Sequence, residues 1–338
     1  MTKAWILKPG QGADSLELKD IDHRPLGDGD VRVAIKAASL NSRDLMIAGG
    51  HSPLPVAEEL TPLSDGAGEI VELGSRVSNF EIGDRVVSAF NPAHLDGPYT
   101  PDMEPSALGG VAQGVLAETV VLPASALVKL PADLSFEQAA CLPCAGVVAW
   151  NGLFESGAFM PGQTVFATGT GTVSLIALCL AKAAGARFGL SSGDPDKLER
   201  ASALGADFGV NYRAEPDWDQ AVKHATGGHG ADIILENAGP PSIAAAVRAA
   251  AQGGRVAQIG FKAPEGPPIN VLDMMLASVS VKPVMVGSRA MLERLVQMVA
   301  INKIELPVEA TFSFAQAREA FDAALAGDSF GKIIISNP

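Results

Sequence analysis

Cysteine is scarce: Cys141, Cys144 and Cys179 are the only three in 338 residues. So low and odd a number argues against a disulfide framework and for a reducing compartment, the cytoplasm. Clustered positive charge is missing too. The 25 Lys and Arg are outnumbered by 38 Asp and Glu, giving a net charge of -13, and no basic run breaks that balance. An electrostatic footprint for nucleic acid or an anionic membrane is therefore excluded. No apolar stretch approaches the roughly 18 residues of a transmembrane helix. The opening "MTKAWILKPGQGADSLELKD" has too short an apolar run for a signal peptide and reaches a turn at Pro9-Gly10. Internal repeats and low-complexity tracts are also absent. What remains is 47% hydrophobic and 19% charged, the profile of a globular protein long enough for two cored domains and suited to a small-molecule ligand.

Residues 1–126 are cut into short apolar runs by Gly, Pro, Asn and Asp, among them "DVRVAIKAASL", "GEIVELG", "GDRVVSAF" and "GVLAETVVLP". Such runs predict the strands of an irregular β-rich domain. From 127 to 288 the rhythm changes to strand, helix, strand, from "QTVFATGT" through "RVAQIGF". That alternation predicts an α/β domain with a parallel sheet covered on both faces. Residues 289–338 give helices and a closing strand at Lys332–Ser336, which is expected to return to the first domain. The second domain would then be an insertion in a discontinuous first one.

The stretch "VFATGTGTVSLIALCLAKAAGA" sets Gly169, Thr170, Gly171, Thr172 and Val173 between an apolar strand and an apolar helix, with Ser174 in the third small position. Glycines there let the backbone approach a diphosphate, whose charge is stabilised by the helix N-terminus. This predicts a dinucleotide site. The next strand ends in Ser191-Ser192-Gly193 without the acid expected of an NAD site, Lys197 follows one helical turn later, and Tyr212-Arg213 end the third strand. An uncharged pair leaves room for a 2'-phosphate, so NADP(H) is favoured over NAD, with Asp194 held open as an acidic substitute. The strand ends "ENAG" and "IGFK" bring Asn237, Gly239, Gly260 and Phe261 toward the nicotinamide half, and "VSVKPVMVGS" adds Val286 and Gly287.

Six motifs in order ("NSRDLMIAGG", "PLSDGAGEIVELG", "FEIGDRVV", "LPCAGVVAWNGL", the Gly169 turn and "DKLERASALGADFGVNYR") together resemble the medium-chain dehydrogenase/reductase superfamily, in its zinc-independent branch around the quinone oxidoreductases. The resemblance covers essentially the whole chain. It implies a GroES-like catalytic domain, a Rossmann doubly wound cofactor domain with Val148 near the cofactor, and a site in the cleft between them. It also implies a homodimer paired through the "VSVKP" edge strand. In the zinc alcohol dehydrogenases of that superfamily a Cys, a His and a second Cys hold the metal. Here Asn41 and Ser64 stand at the first two positions, and only Cys144 survives at the third. One thiolate cannot hold a catalytic zinc, so no metal is expected.

Without a metal, oxidation of simple alcohols loses its means of stabilising an alkoxide. Hydride transfer from NADPH to an electrophilic acceptor, a quinone or an α,β-unsaturated carbonyl, needs mainly positioning and a hydrogen-bond donor. Asn41 is carried over as a contact of the nicotinamide ribose or the substrate oxygen. Ser64 is the nearest replacement donor, or simply a hydroxyl satisfied by backbone. His51 is a candidate proton donor, and Asp65 is read as structural or as orienting Arg43. The alternatives are an enoyl-thioester reductase, needing Lys262 and Arg289 at a basic entrance, a zinc-type alcohol dehydrogenase, and a non-catalytic NADPH-binding protein.

Overall fold

A computed structural model describes residues 1–261 and 265–337. Its strands, in chain order, are β1 (Thr2–Ile6), β2 (Glu17–Ile21), β3 (Asp30–Ser39), β4 (Asp65–Leu73), β5 (Arg85–Ser88), β6 (Thr119–Pro123), β7 (Leu127–Lys129), β8 (Thr164–Ala167), β9 (Arg187–Ser192), β10 (Phe208–Asn211), β11 (Ala231–Glu236), β12 (Ala250–Gln258), β13 (Ser280–Pro283), β14 (Val308–Ser313) and β15 (Lys332–Ser336).

The chain divides into two compact units. The first holds Met1–Val147, Gly287–Lys303 and Val308–Pro338, and the second Val148–Val286 with Ile304–Pro307. In the first, β14-β15-β3-β4-β5-β7 form one sheet, with β6 also on β3, while β1 and β2 pair separately. The alternation in "DVRVAIKAAS" explains β3: Val31, Val33 and Ile35 face the core and intervening residues stay wetter. This is the GroES-like β-rich half of an α/β protein. The three residues of β7 pair with β5, so the first unit runs on past residue 126, where the sequence suggested it would stop. Three residues are too few to carry a pattern, so β7 is not visible in the sequence as a strand of the first unit.

The second unit is a six-stranded sheet in the order β10-β9-β8-β11-β12-β13, every pair parallel. All four residues of β8 are buried, as expected of a strand covered on both faces. This order reverses direction at β8, the topological switch point of a Rossmann sheet, where the Gly169 turn follows. No helix among the described residues is long and apolar enough to cross a membrane.

Candidate functional site

In the first unit, Asn41 follows β3 and opens the helix Ser42–Ala48. Ser64 immediately precedes β4 and is fully buried. Its position is tightly determined by the residue before it. Leu63 lies in the left-handed region at φ 70°, which is rare for a branched side chain and persists only where the surroundings enforce it. They do so here: a Cβ on Gly109 would stand 2.8 Å from the Leu63 carbonyl carbon, and the Val115 N–H donates to the Leu63 carbonyl at 2.9 Å.

Cys144 arrives on a π-helical turn, Leu142–Gly146. The wider turn leaves its N–H free to donate to Asp65 Oδ2 at 3.1 Å, and the Ala140 carbonyl instead accepts from Ser39 Oγ at 2.7 Å. Burial pushes the Cys144 thiol well above its ordinary range, and pushes Cys141 up to about 12. All three thiols are free.

The cluster is completed by a residue that the motifs did not single out. Lys332, at the start of β15, is 1% exposed. Its Nζ donates to the Leu40 carbonyl at 2.9 Å and to Asn41 Oδ1 at 2.7 Å, and lies 3.5 Å from Asp65 Oδ2. Ser64 Oγ donates to Asp65 Oδ1 at 2.6 Å. Asp65 thus ties Ser64, Cys144 and Lys332 together and does not orient Arg43, whose Nη1 donates to the Leu108 carbonyl at 2.8 Å. Two buried atoms in this region have no hydrogen-bond partner, Asn41 Nδ2 and Asp44 Oδ1. Each leaves a desolvation cost of about 1–3 kcal/mol unless a ligand or water satisfies it.

These residues do not fit a catalytic zinc. The Lys332 ammonium already occupies the Asn41 oxygen, the Ser64 hydroxyl is directed at Asp65, and burial favours the neutral form of the Cys144 thiol. A divalent cation among them would face an ammonium and lack the three protein ligands such a site needs. Among the described residues, no group of three His, Cys, Asp or Glu side chains could hold a metal ion. His94 is buried with its Nε2 2.9 Å from the Gly97 carbonyl. His51 is exposed, and no hydrogen bond among the described residues links it to Asn41, Ser64 or Asp65.

Burial raises the Asp44 carboxyl to about 6, against the opposing pull of Arg43 and the Asn41 N–H. The folded chain therefore holds this proton more tightly than the unfolded one. The resulting stability is fully present below about pH 4 and is lost as pH rises through 6. Asp44→Asn, which cannot titrate, should accordingly gain about 2 kcal/mol on the parent between pH 4 and pH 7. Urea midpoints at the two pH values check it, and a difference independent of pH would remove Asp44 as the cause.

In the second unit the glycine turn leads into the helix Thr172–Ala183, whose N-cap, Gly171, provides no side-chain cap. Gly169 sits at φ 82°, and a Cβ on either Gly169 or Gly171 would meet nothing within 4 Å. Open space beside the backbone at a helix N-terminus fits a diphosphate. The Gly169 N–H donates to Ser191 Oγ at 3.1 Å, and Thr170 Oγ1 lies 3.4 Å from Ser192 Oγ, so the ends of β8 and β9 are tied together. Asp194 Oδ1 accepts the Asp196 N–H at 2.9 Å, capping the helix Pro195–Ala203 that carries Lys197. Above Gly193 lie Arg213 and Tyr212: a Cβ there would be 2.6 Å from Arg213 Nε and 2.8 Å from Tyr212 Oη.

At the end of β11 the fully buried Glu236 was also missed. Its Oε1 accepts from Thr168 Oγ1 at 3.0 Å, the Ala238 N–H at 3.0 Å and Ser242 Oγ. Its Oε2 accepts the Gly239 N–H at 2.8 Å and Gln258 Nε2 at 3.0 Å. Asn237 Nδ2 donates to Ser174 Oγ at 3.0 Å, Asn237 Oδ1 is buried without a partner, and the Gly260 N–H donates to the Glu236 carbonyl at 2.8 Å. Gly239 is thus held by the Glu236 carboxylate and Gly260 by the Glu236 carbonyl, with Asn237 next in the chain, whereas Phe261 is exposed. Val148 is buried, and the Val286 carbonyl accepts from Asn151 Nδ2 at 3.3 Å. Gly287, at φ 141°, begins the next stretch of the first unit.

Two family profiles match the chain: an alcohol dehydrogenase GroES-like domain over residues 27–132 and a zinc-binding dehydrogenase over residues 172–300. A zinc-type alcohol dehydrogenase-like protein of Schizosaccharomyces pombe is 38% identical over 331 residues, 96% of each chain. A quinone oxidoreductase-like protein 2 homolog of Nematostella vectensis is 29% identical, covering 92% of this chain and 82% of its own. Among solved structures, a putative alcohol dehydrogenase from Sinorhizobium meliloti 1021 is similar at 38% identity and a TM-score of 0.90, covering 99% of this chain and all of its own. The chain therefore belongs to the medium-chain dehydrogenase/reductase superfamily of nicotinamide-dependent oxidoreductases.

Proposed function

We propose that this oxidoreductase uses NADPH, without zinc, to reduce a quinone or an α,β-unsaturated carbonyl. The observation that carries the reading is the ammonium of Lys332, bonded to the residue that stands where the first zinc ligand would be. When bound, the nicotinamide cofactor supplies the hydride. The protein's own residues then bind, orient and offer hydrogen bonds to an acceptor that is already electrophilic. Ser64 enters this reading as an acceptor of hydrogen bonds, because its own proton is directed at Asp65.

NADPH is favoured over NADH by the neutral end of β9, by Arg213 and Tyr212 above Gly193, and by the use of the Asp194 carboxylate as a helix cap. Three free thiols suit a cytoplasmic protein. The enoyl-thioester reading gains nothing: Lys262 lies outside the described residues, and Arg289 is held by Glu293 at 3.1 Å and by the Leu127 carbonyl at 3.3 Å.

The test is NADPH oxidation by chelator-treated protein against a benzoquinone, a naphthoquinone, an alkyl enone and an enoyl-CoA, with NADH and metal analysis alongside. Turnover on a quinone or enone that survives the chelator is expected. NADPH binding without turnover on any of them would instead make the protein a non-catalytic binder. Activity lost to the chelator and restored by zinc would overturn the metal-free reading.

A homodimer belongs to the same proposal. Beside the edge strand β13, the helix Val271–Ala277 leaves Val271, Leu272, Met275 and Leu276 between 56% and 71% exposed, an apolar face that a second copy would cover. Light scattering should return twice the 34.8 kDa chain mass, falling to one chain in Met275→Glu/Leu276→Glu. A monomeric parent would remove the dimer.

A further inference from the structure

We propose that Lys332 is a positioning residue that locks the Asn41 amide with its N–H2 face toward the carbonyl oxygen of the acceptor. The inference rests on the reductase reading above and adds the identity of the donor. The oxygen and nitrogen of an amide are ordinarily assigned from the hydrogen bonds around them. Lysine removes that freedom, because an ammonium has three donors and no acceptor.

With Nζ 2.7 Å from Asn41 Oδ1, turning the amide over would set N–H against N–H beside a buried positive charge. The second and third donors of Lys332 are directed at the Leu40 carbonyl at 2.9 Å and at Asp65, 3.5 Å away, so the ammonium is held from three sides. Asn41 Nδ2 consequently points away from this network, is buried and has no partner.

The neighbouring hydroxyl cannot substitute for it. Ser64 Oγ donates to Asp65 at 2.6 Å, and Asp65 is itself fixed by the Cys144 N–H and Lys332. Asn41 thus offers an unpaired N–H donor in this cluster, on an amide already polarised by the ammonium bound to its oxygen. A ligand that matches it carries an acceptor oxygen on which negative charge grows as hydride arrives at carbon. Quinones and enones have such an oxygen, and the donor stabilises the oxyanion without transferring its own proton, the product taking its proton from solvent water afterwards.

A double-mutant cycle tests this, using purified full-length protein, a benzoquinone and an enone as acceptors, and NADPH affinity from cofactor fluorescence. Asn41→Ala and Lys332→Met should each lower kcat for both acceptors about 100-fold and leave the NADPH Kd within about twofold. The double variant should be scarcely worse than either single one, because both remove the same donor. Lys332→Arg should recover at least tenfold of the loss. Should Lys332→Met fail to fold because Asp65 is left as an unpaired buried charge, Lys332→Met/Asp65→Asn removes both charges and enters the same cycle.

Losses that multiply in the combined variant would overturn the proposal, as would a loss that appears in the NADPH Kd while kcat is spared. A parent protein that turns over no carbonyl acceptor would sink the reductase reading and this inference with it, a result distinct from multiplied losses in an active parent.

Discussion

Glu236→Leu is expected to lower the unfolding free energy by about 4 kcal/mol or more and to weaken NADPH binding in whatever folded protein remains. Glu236 is completely buried and receives five donors: two hydroxyls, two backbone N–H groups and the Gln258 amide. Leucine nearly matches its bulk and provides no acceptor, so five hydrogen bonds are lost at once: the Thr168, Ala238, Ser242 and Gln258 donors keep second acceptors, and the Gly239 N–H is orphaned. Each lost bond costs about 0.5–1.5 kcal/mol and the orphaned donor about 1–3 kcal/mol. Glu236→Gln should lie between, since its amide nitrogen opposes the donors on one side only. The cofactor effect follows from geometry: the Ala238 and Gly239 N–H groups that Glu236 anchors fix the backbone of the loop assigned to the nicotinamide half. Urea unfolding with and without NADPH separates the two effects. A loss under about 1 kcal/mol for the leucine variant would mean that water supplies the acceptors and the carboxylate is dispensable.

The second large effect concerns cofactor choice. Removing the guanidinium in Arg213→Ala should raise the KM for NADPH tenfold to a hundredfold and leave NADH within about twofold, because a charge-assisted bond to a phosphate contributes about 1.5–3 kcal/mol. Adding Ser192→Asp to that variant should reverse the preference, by placing a carboxylate where a ribose 2'-OH would donate and a 2'-phosphate would be repelled. The measurement is the ratio of kcat/KM for the two cofactors. Equal losses for both in Arg213→Ala would assign Arg213 to packing over Gly193 and leave the 2'-phosphate to other residues.

What could be read from the sequence followed the range of the interactions. The Gly169 turn was legible because strand, glycines and helix adjoin in the chain, and the alternation in β3 was legible because side-chain direction repeats every two residues. Asn41, Ser64 and Cys144 were legible because each lies in a motif. Lys332 was not. In "GKIIIS" it reads as a solvated strand start, and its burial appears only when β15 pairs with β3. Glu236 was visible in "ENAG", but its role depends on partners supplied by three other segments. His51 marks the limit from the other side: an imidazole beside a motif suggested a proton donor, and the turn after Ser42–Ala48 leaves that residue exposed.

The bond between Lys332 and Asn41 spans 291 positions, and this sets an order of events during synthesis. The second unit is almost wholly encoded between the two residues, so a ribosome completes it before the lysine exists. At roughly 5–20 residues per second, Asn41 and Asp65 wait on the order of 15–60 s for their cation. During that interval Asp65 has no counter-ion, and the first sheet is open along β3, where β15 will dock. The nascent first unit is therefore the stage most exposed to wrong pairing or to a chaperone, until β15 both docks on β3 and delivers the ammonium.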